Sequence, residues 1–378
     1  MPESQSSGMR ARQSIRRLRQ GVVPQSAIKS VLVGYEGVGD SFLQHIGSES
    51  SKRGKKPIFV RGEFGTGKSN YISYIRQLCE ERKIATSTVQ LNANNRSLSQ
   101  FQYLYPELVM NLQRVTIGKQ MVNGIQDVIR AALNEESLRK RLLSFASSPS
   151  CGELRVPILN LAVWAESQLA PISSQHPSWK KITGADITFN TALYLREKGL
   201  SRIKIIAQLL RELGSERLVL FFDEAETIDQ LFNICSRCNA YAALERLSRL
   251  DGVICYFAIT RRFENIIHRD LDKGILSRRS LSMEGQAFLK RWIDGQFKIV
   301  EPPEIDLVRA VELSRKVRTL YEMGYGISTL PQVDLTSLAR EWSGGAARNP
   351  RVLIRQLVDQ LDSARPLVLQ EAEMAFAV

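Results

Sequence analysis

The sequence predicts an α/β protein: a parallel sheet that carries a helical insertion and is followed by a small C-terminal helical domain. Three observations carry this reading. An apolar run at residues 57–61 leads through a glycine-rich loop into an amphipathic helix. A second apolar run, 217–222, stops against two acids, Asp223 and Glu224. A third, 253–260, is apolar without alternation, the pattern of a parallel strand covered on both faces.

In chain order, residues 1–9 are polar and expected to lack order, and 11–20 read as a short basic helix ended by Gly21 and Pro24. Arg10, Arg12, Arg16, Arg17 and Arg19 crowd this stretch, so residues 1–30 are expected to form a basic arm, either solvated or in contact with nucleic acid. Val31, Val33, Val38, Phe42 and Ile46 suggest a turn into a helix. A Ser/Gly/Lys linker follows at 47–54, with Lys52, Arg53, Lys55 and Lys56 as a second basic cluster. The helix after the glycine-rich loop, about 68–82, places Ile72, Ile75, Leu78 and Cys79 on one face, and 86–91 reads as a second strand. Ser97 or Ser99 is expected to cap the next helix, which carries Phe101, Leu104, Leu108 and Leu112. Residues 113–215 look almost entirely helical, broken at 147–152 and 170–177, and form an insertion within an α/β core spanning 31–300. A helix at 234–250 and a last short strand at 297–300 complete the core. Helices at about 306–323, 335–342 and 350–362, with a final short one after Pro366, make the domain 301–378.

Composition narrows the function classes. The chain has 378 residues, room for two or three domains of roughly 100–200 residues each. A net charge of +13 favours an anionic partner, DNA or RNA. No apolar run approaches the roughly 20 residues of a membrane span, and no apolar stretch backs the basic N-terminus as a secretory signal would require. A cytoplasmic protein without a membrane partner is expected. Five cysteines are scattered; Cys235 and Cys238 form a C-x-x-C with no second ligand pair, which suits helix-face thiols better than zinc.

Chemistry concentrates in two places. Gly62-Glu63-Phe64-Gly65-Thr66-Gly67-Lys68-Ser69 fits G-x-x-x-x-G-K-[ST] between a strand and a helix, the context that marks a P-loop. The glycines let backbone N–H groups face phosphates, and the helix start through Asn70 adds positive potential. Lys68 is expected to neutralise the β and γ oxygens of ATP, and Ser69 to offer its hydroxyl to Mg²⁺. Asp223 is delivered by a strand to the sheet's carboxyl edge, where α/β ligands bind, and should hold Mg²⁺. Glu224 is placed to polarise an attacking water, which favours hydrolysis over binding alone. Glu226 and Asp229 add charge next door and read as solvated or partner-facing. Thr260 ends the third strand, where a hydroxyl can sense the γ-phosphate; an ordinary strand-end threonine is the alternative. Arg278 or Arg279 could reach the nucleotide of a neighbouring subunit, or be a surface pair. Arg351 could face the nucleotide from the helical domain; Arg348 competes for that role, and Arg355 sits one turn on.

This order of features resembles an AAA+ ATPase: a P-loop NTPase sheet with a small helical lid. The resemblance makes Thr260 sensor 1, Arg278 or Arg279 the arginine finger of a homo-oligomer, and Arg351 sensor 2. It also places Val33-Gly34-Tyr35-Glu36 near the adenine. A narrower similarity is carried by Arg17-x-x-x-Gly21-x-x-Pro24-Gln25, Val33-Gly34, Arg61-Gly62-Glu63-Phe64-Gly65, Phe101 to Leu112, Asp223-Glu224-Ala225-Glu226-Thr227 and Asn349-Pro350-Arg351 with Arg355. These resemble the ATP-binding proteins of BREX-type phage-defence systems. That resemblance implies bacterial antiviral defence, with DNA and other defence-system proteins as partners. The readings to separate are an ATP-driven motor or switch on DNA, a transposition or replication-loader type regulator, and an ATP-gated scaffold with little turnover.

Overall fold

The computed structural model describes residues 2–47, 57–94, 97–167, 172–187, 193–326, 334–345 and 349–376. The chain divides into two compact units: one from residues 1–47, 63–77 and 301–378, the other from 48–62 and 78–300.

The second unit holds an α/β sheet of five parallel strands. These are β1 (Ile58–Arg61), β2 (Ala85–Gln90), β5 (Leu218–Asp223), β6 (Val253–Ile259) and β7 (Lys298–Val300), in the order β2-β5-β6-β1-β7. Leu218–Phe222 and all of β6 are buried, which explains the lack of alternation. Register aligns the carboxyl ends: Gln90 pairs with Asp223, Arg61 with Ile259, and Gly62 N donates to Ile259 O at 3.0 Å. Phe59 organises the core, its ring lying 5.0–6.5 Å from those of Phe257, Phe263, Phe288, Trp292 and Phe297. The chain therefore leaves the sheet at one edge after β1, β5 and β6, where Gly62, Glu224 and Thr260 stand.

The insertion departs from the expected all-helical reading. Strands β3 (Val115–Ile117) and β4 (Gln120–Val122) form an antiparallel hairpin whose turn places Gly118 at φ 56°. The β-branched Val115-Thr116-Ile117 before a Gly-Lys pair is the local signal for it. The expected serine cap is also absent: Gln100 precedes the helix Phe101–Met110, and Ser97 and Ser99 bond each other at 2.7 Å.

A fully buried arginine staples the insertion. Arg202, in the helix Leu193–Glu212, donates to Glu153 at 2.7 Å, to both Asp186 oxygens at 2.6 and 2.8 Å, and to Lys181 O at 2.9 Å. Tyr105 lies against the guanidinium and donates to Ile182 O at 2.6 Å. Removing the guanidinium takes away four hydrogen bonds, three of them to carboxylates. Because Glu153 and Asp186 keep part of their surface in water, Arg202→Met is expected to lower stability by about 1.5–3 kcal/mol, read as a drop in the urea midpoint; an unchanged midpoint would show the network to be dispensable.

The first unit overturns the picture of a solvated arm. One helix, Pro2–Leu18, includes residues 2–9, expected to be unstructured. Ala11, Ile15 and Leu18, at i, i+4 and i+7, are buried in a cluster with Leu313, Val317, Tyr321, Trp342, Leu353 and Leu357. The fit is close: a methyl on Gly324 would lie 2.7 Å from Ile15 Cδ1 and 3.2 Å from Arg12 N. Two of the five arginines are structural. Arg12 donates to Gly324 O at 2.5 Å, and Arg19 grips Asp362 with two bonds of 2.7 Å and donates to Tyr325 at 3.1 Å. Arg10, Arg16 and Arg17 are exposed.

Asp306 and Asp334 cap the helices Leu307–Tyr325 and Leu335–Gly344 with their side chains. A single helix, Pro350–Phe376, runs through Pro366, where two helices were expected; a proline removes one hydrogen bond but leaves the preceding apolar face, through Leu361, intact. The basic cluster Lys52–Lys56 and Arg348 lie outside the described residues.

Candidate functional site

The glycine-rich loop belongs to the first unit from Glu63 onwards. Its turn depends on Gly65 at φ 85° and Gly67 at φ 102°, a backbone region that side chains disfavour. Glu63 O gathers the loop: it accepts from Thr66 N (3.3 Å), Thr66 Oγ1 (2.8 Å) and Lys68 Nζ (3.2 Å). Lys68 is buried at the first position of the helix Lys68–Glu81, its ammonium 5.2 Å from the Phe64 ring centre, while Phe64 itself is exposed. Ser69 is exposed and Asn70 half-buried.

Two further residues lie against this loop: Asn349, which carried part of the family resemblance without a role of its own, and Tyr35, in the segment that the resemblance places near the adenine. A methyl on Gly65 would fall 2.5 Å from Asn349 Nδ2, so the amide lies directly on the loop. Asn349 is fixed there because its Oδ1 accepts from Arg351 N (3.0 Å) and its carbonyl from Trp342 Nε1 (3.0 Å). Tyr35 is the other. Its hydroxyl lies 3.9 Å from where a methyl on Gly67 would sit, and its ring packs on Tyr74 at 4.9 Å and Tyr71 at 6.2 Å. Burial pushes the Tyr71 phenol up to about 12 and that of Tyr35 higher still, so both are neutral hydroxyls at physiological pH. Gly34, at φ 78°, backs onto Arg309 and Pro303. Arg351 is exposed and its backbone meets Gly21; Arg355 is exposed one turn on. Asn349 was marked only as part of the Asn349-Pro350-Arg351 motif; its place on the loop follows from tertiary contact.

The carboxyl edge of the sheet belongs to the second unit. Asp223 ends β5 and its Oδ1 accepts from Glu224 N at 3.0 Å. Glu224 adopts the left-handed conformation, φ 59° and ψ 41°, which costs a non-glycine residue about 1–2 kcal/mol and persists only where the surroundings hold it. Its side chain is held by Gln90, whose Nε2 donates to Oε1 at 3.0 Å. Gln90 sits beside this pair because β2 runs parallel to β5 in that register; nothing local marked it. Glu226 is buried in the 3₁₀ turn Ala225–Gln230, against the expectation of a solvated acid. Thr260 is fully buried, and its hydroxyl has no hydrogen-bond partner among the described residues.

Arg278 and Arg279 are exposed after the turn Ile275–Ser277, and Arg279 lines a cleft of about 250 Å³ with Glu197, Arg246 and Ser280. Cys235 is exposed and Cys238 buried. Among the described residues no three His, Cys, Asp or Glu side chains converge as a metal cage, and no helix is long and apolar enough to cross a membrane.

A family model described as BREX system ATP-binding protein BrxC/D matches residues 7–140 and 195–374. Both chemical segments fall inside the match, and the unmatched stretch lies within the helical insertion. No curated protein matches the chain.

Proposed function

Since the chain belongs to the BREX system ATP-binding protein family BrxC/D, we propose that it is an AAA+-like P-loop ATPase acting on DNA as a motor or switch in phage defence. The observation that carries the hydrolytic part is Glu224. A carboxylate held in a costly backbone conformation beside Asp223, with an amide on one oxygen, suits a general base better than a bystander.

The residues present fit the ligands this reading needs. Gly62, Gly65, Thr66 and Gly67 turn the backbone toward phosphate, and Lys68 supplies the cation at the helix start. Ser69 and Asp223 are the hard oxygen donors that would hold Mg²⁺, which neutralises phosphate charge when bound. Glu224 takes a proton from the attacking water. The Thr260 hydroxyl, buried and unpartnered, is free to orient that water or the γ-phosphate. Residues 301–378 act as the lid, a reading supported by Asn349 lying on Gly65 within one compact unit. Arg351 faces the nucleotide from that lid, and Arg278 or Arg279 acts in trans in a homo-oligomer. Other defence-system proteins are the expected partners, in the cytoplasm.

One observation favours the scaffold reading, in which ATP changes shape with little turnover: Gln90 already engages Glu224. Steady-state ATPase rates with and without duplex DNA, at low and moderate salt, decide between them. DNA-stimulated turnover that weakens with salt is the expected result. Slow turnover indifferent to DNA would replace the motor by the scaffold.

A further inference from the structure

Phe232 is 99% exposed, an unusual position for a phenylalanine in an ordered segment. It is nevertheless firmly held. Arg237 donates to Leu231 O at 2.5 Å and to Phe232 O at 3.3 Å, and grips the buried carboxylate of Asp270 with bonds of 2.8 and 2.9 Å. Tyr241 completes the clamp with a 2.9 Å bond to Asp270. A buried ion pair thus fixes the backbone that presents this ring, and fixes it beside the helix Arg261–Asp272, which carries Asp270.

That helix is sharply two-sided. Phe263, Ile266, Ile267 and Asp270 are buried, whereas Arg261, Arg262, Asn265, His268, Arg269 and the following Lys273 are exposed. Arg262, Arg269 and Lys273 recur at i, i+7 and i+11, one stripe along the helix. Two acids temper the face: Asp272 lies on it, and Asp229 pairs with Arg269 at 3.4 Å. Arg261, Arg262 and Lys273 have no ion-pair partner among the described residues.

We propose that Phe232 and the exposed face of this helix form a docking surface for single-stranded DNA, an inference that rests on the reading above that the protein works on DNA. The cations track the phosphates and the ring stacks on a base. A single strand is the occupant that fits. Its bases offer free faces to an aromatic side chain, whereas a duplex would first have to be unstacked.

The experiment measures anisotropy of a labelled thirty-nucleotide oligo-dT with the full chain across a salt series, with a duplex of the same length alongside. Phe232→Ala is expected to weaken single-strand binding about 5- to 100-fold, and Phe232→Trp to keep it. Arg262→Ala with Lys273→Ala should reduce the slope of log affinity on log salt by about 1.4, two phosphate contacts at roughly 0.7 each. Unchanged thermal melts show that the variants are folded. If the wild type binds single strands and all variants bind equally well, the surface is elsewhere while the DNA reading stands. Binding of duplex alone, unaffected by Phe232→Ala, overturns the surface too. If the wild type binds neither form, the DNA reading fails and takes the surface with it.

Discussion

Lys68→Ala is expected to weaken ATP binding about 100-fold or more in a titration calorimeter while leaving the thermal melt close to wild type. The size follows from the chemistry. A charge-assisted hydrogen bond contributes about 1.5–3 kcal/mol, and this ammonium is expected to serve two phosphate oxygens. The geometry explains why no neighbour substitutes for it. Lys68 opens its helix in a buried position, and its Nζ is directed by Glu63 O and the Phe64 ring within the loop itself. The folding cost of losing it is small by comparison, because the turn is set by Gly65, Gly67 and the bonds from Thr66. Wild-type affinity in this variant would mean that the loop is not the phosphate site.

Glu224→Gln should separate binding from chemistry. Glutamine is nearly isosteric, and its carbonyl oxygen can still accept the bond from Gln90, so the strand end keeps its shape. What disappears is the negative charge that accepts a proton. General-base assistance contributes about 10²–10⁴-fold, so turnover should fall by at least about 100-fold while ATP stays bound. A filter-retention assay, stopped at a time when the wild type has hydrolysed its bound nucleotide, would show the variant still holding ATP. Undiminished turnover would remove Glu224 from catalysis and leave the binding assignment standing.

The parts of the molecule that were legible share one property: a single segment carries the whole signal. Buried parallel strands announce themselves as unbroken apolar runs, so β1, β5 and β6 fell within a residue or two of expectation. The loop at Gly62–Ser69 and the acids after β5 are contiguous motifs. What escaped notice depends on pairing between distant segments. Gln90 matters only because β2 lies in register with β5, and Asn349 only because its amide meets Gly65. The N-terminal helix was expected over 11–20, but its start at Pro2 and its buried face were missed for another reason. Its arginines dominate composition, and the sparse Ala11, Ile15, Leu18 stripe is too narrow to stand out until its partners at 313–361 are known. Part of the basic charge that suggested a nucleic-acid arm is spent on Asp362 and Gly324 O.

That N-terminal helix also sets an order of assembly. Its buried side chains share a cluster with residues roughly three hundred positions later, so during synthesis they emerge long before the residues that cover them. The sheet of the second unit can complete its strands once residue 300 has left the ribosome, but the first unit must wait for the helix beginning at Pro350. In the interval Ala11, Ile15 and Leu18 present an uncovered apolar stripe of the kind that chaperones recognise and that aggregates. A chain truncated ahead of residue 301 would keep that stripe permanently exposed, and the nascent protein has good reason to be shielded until its C-terminal helices arrive.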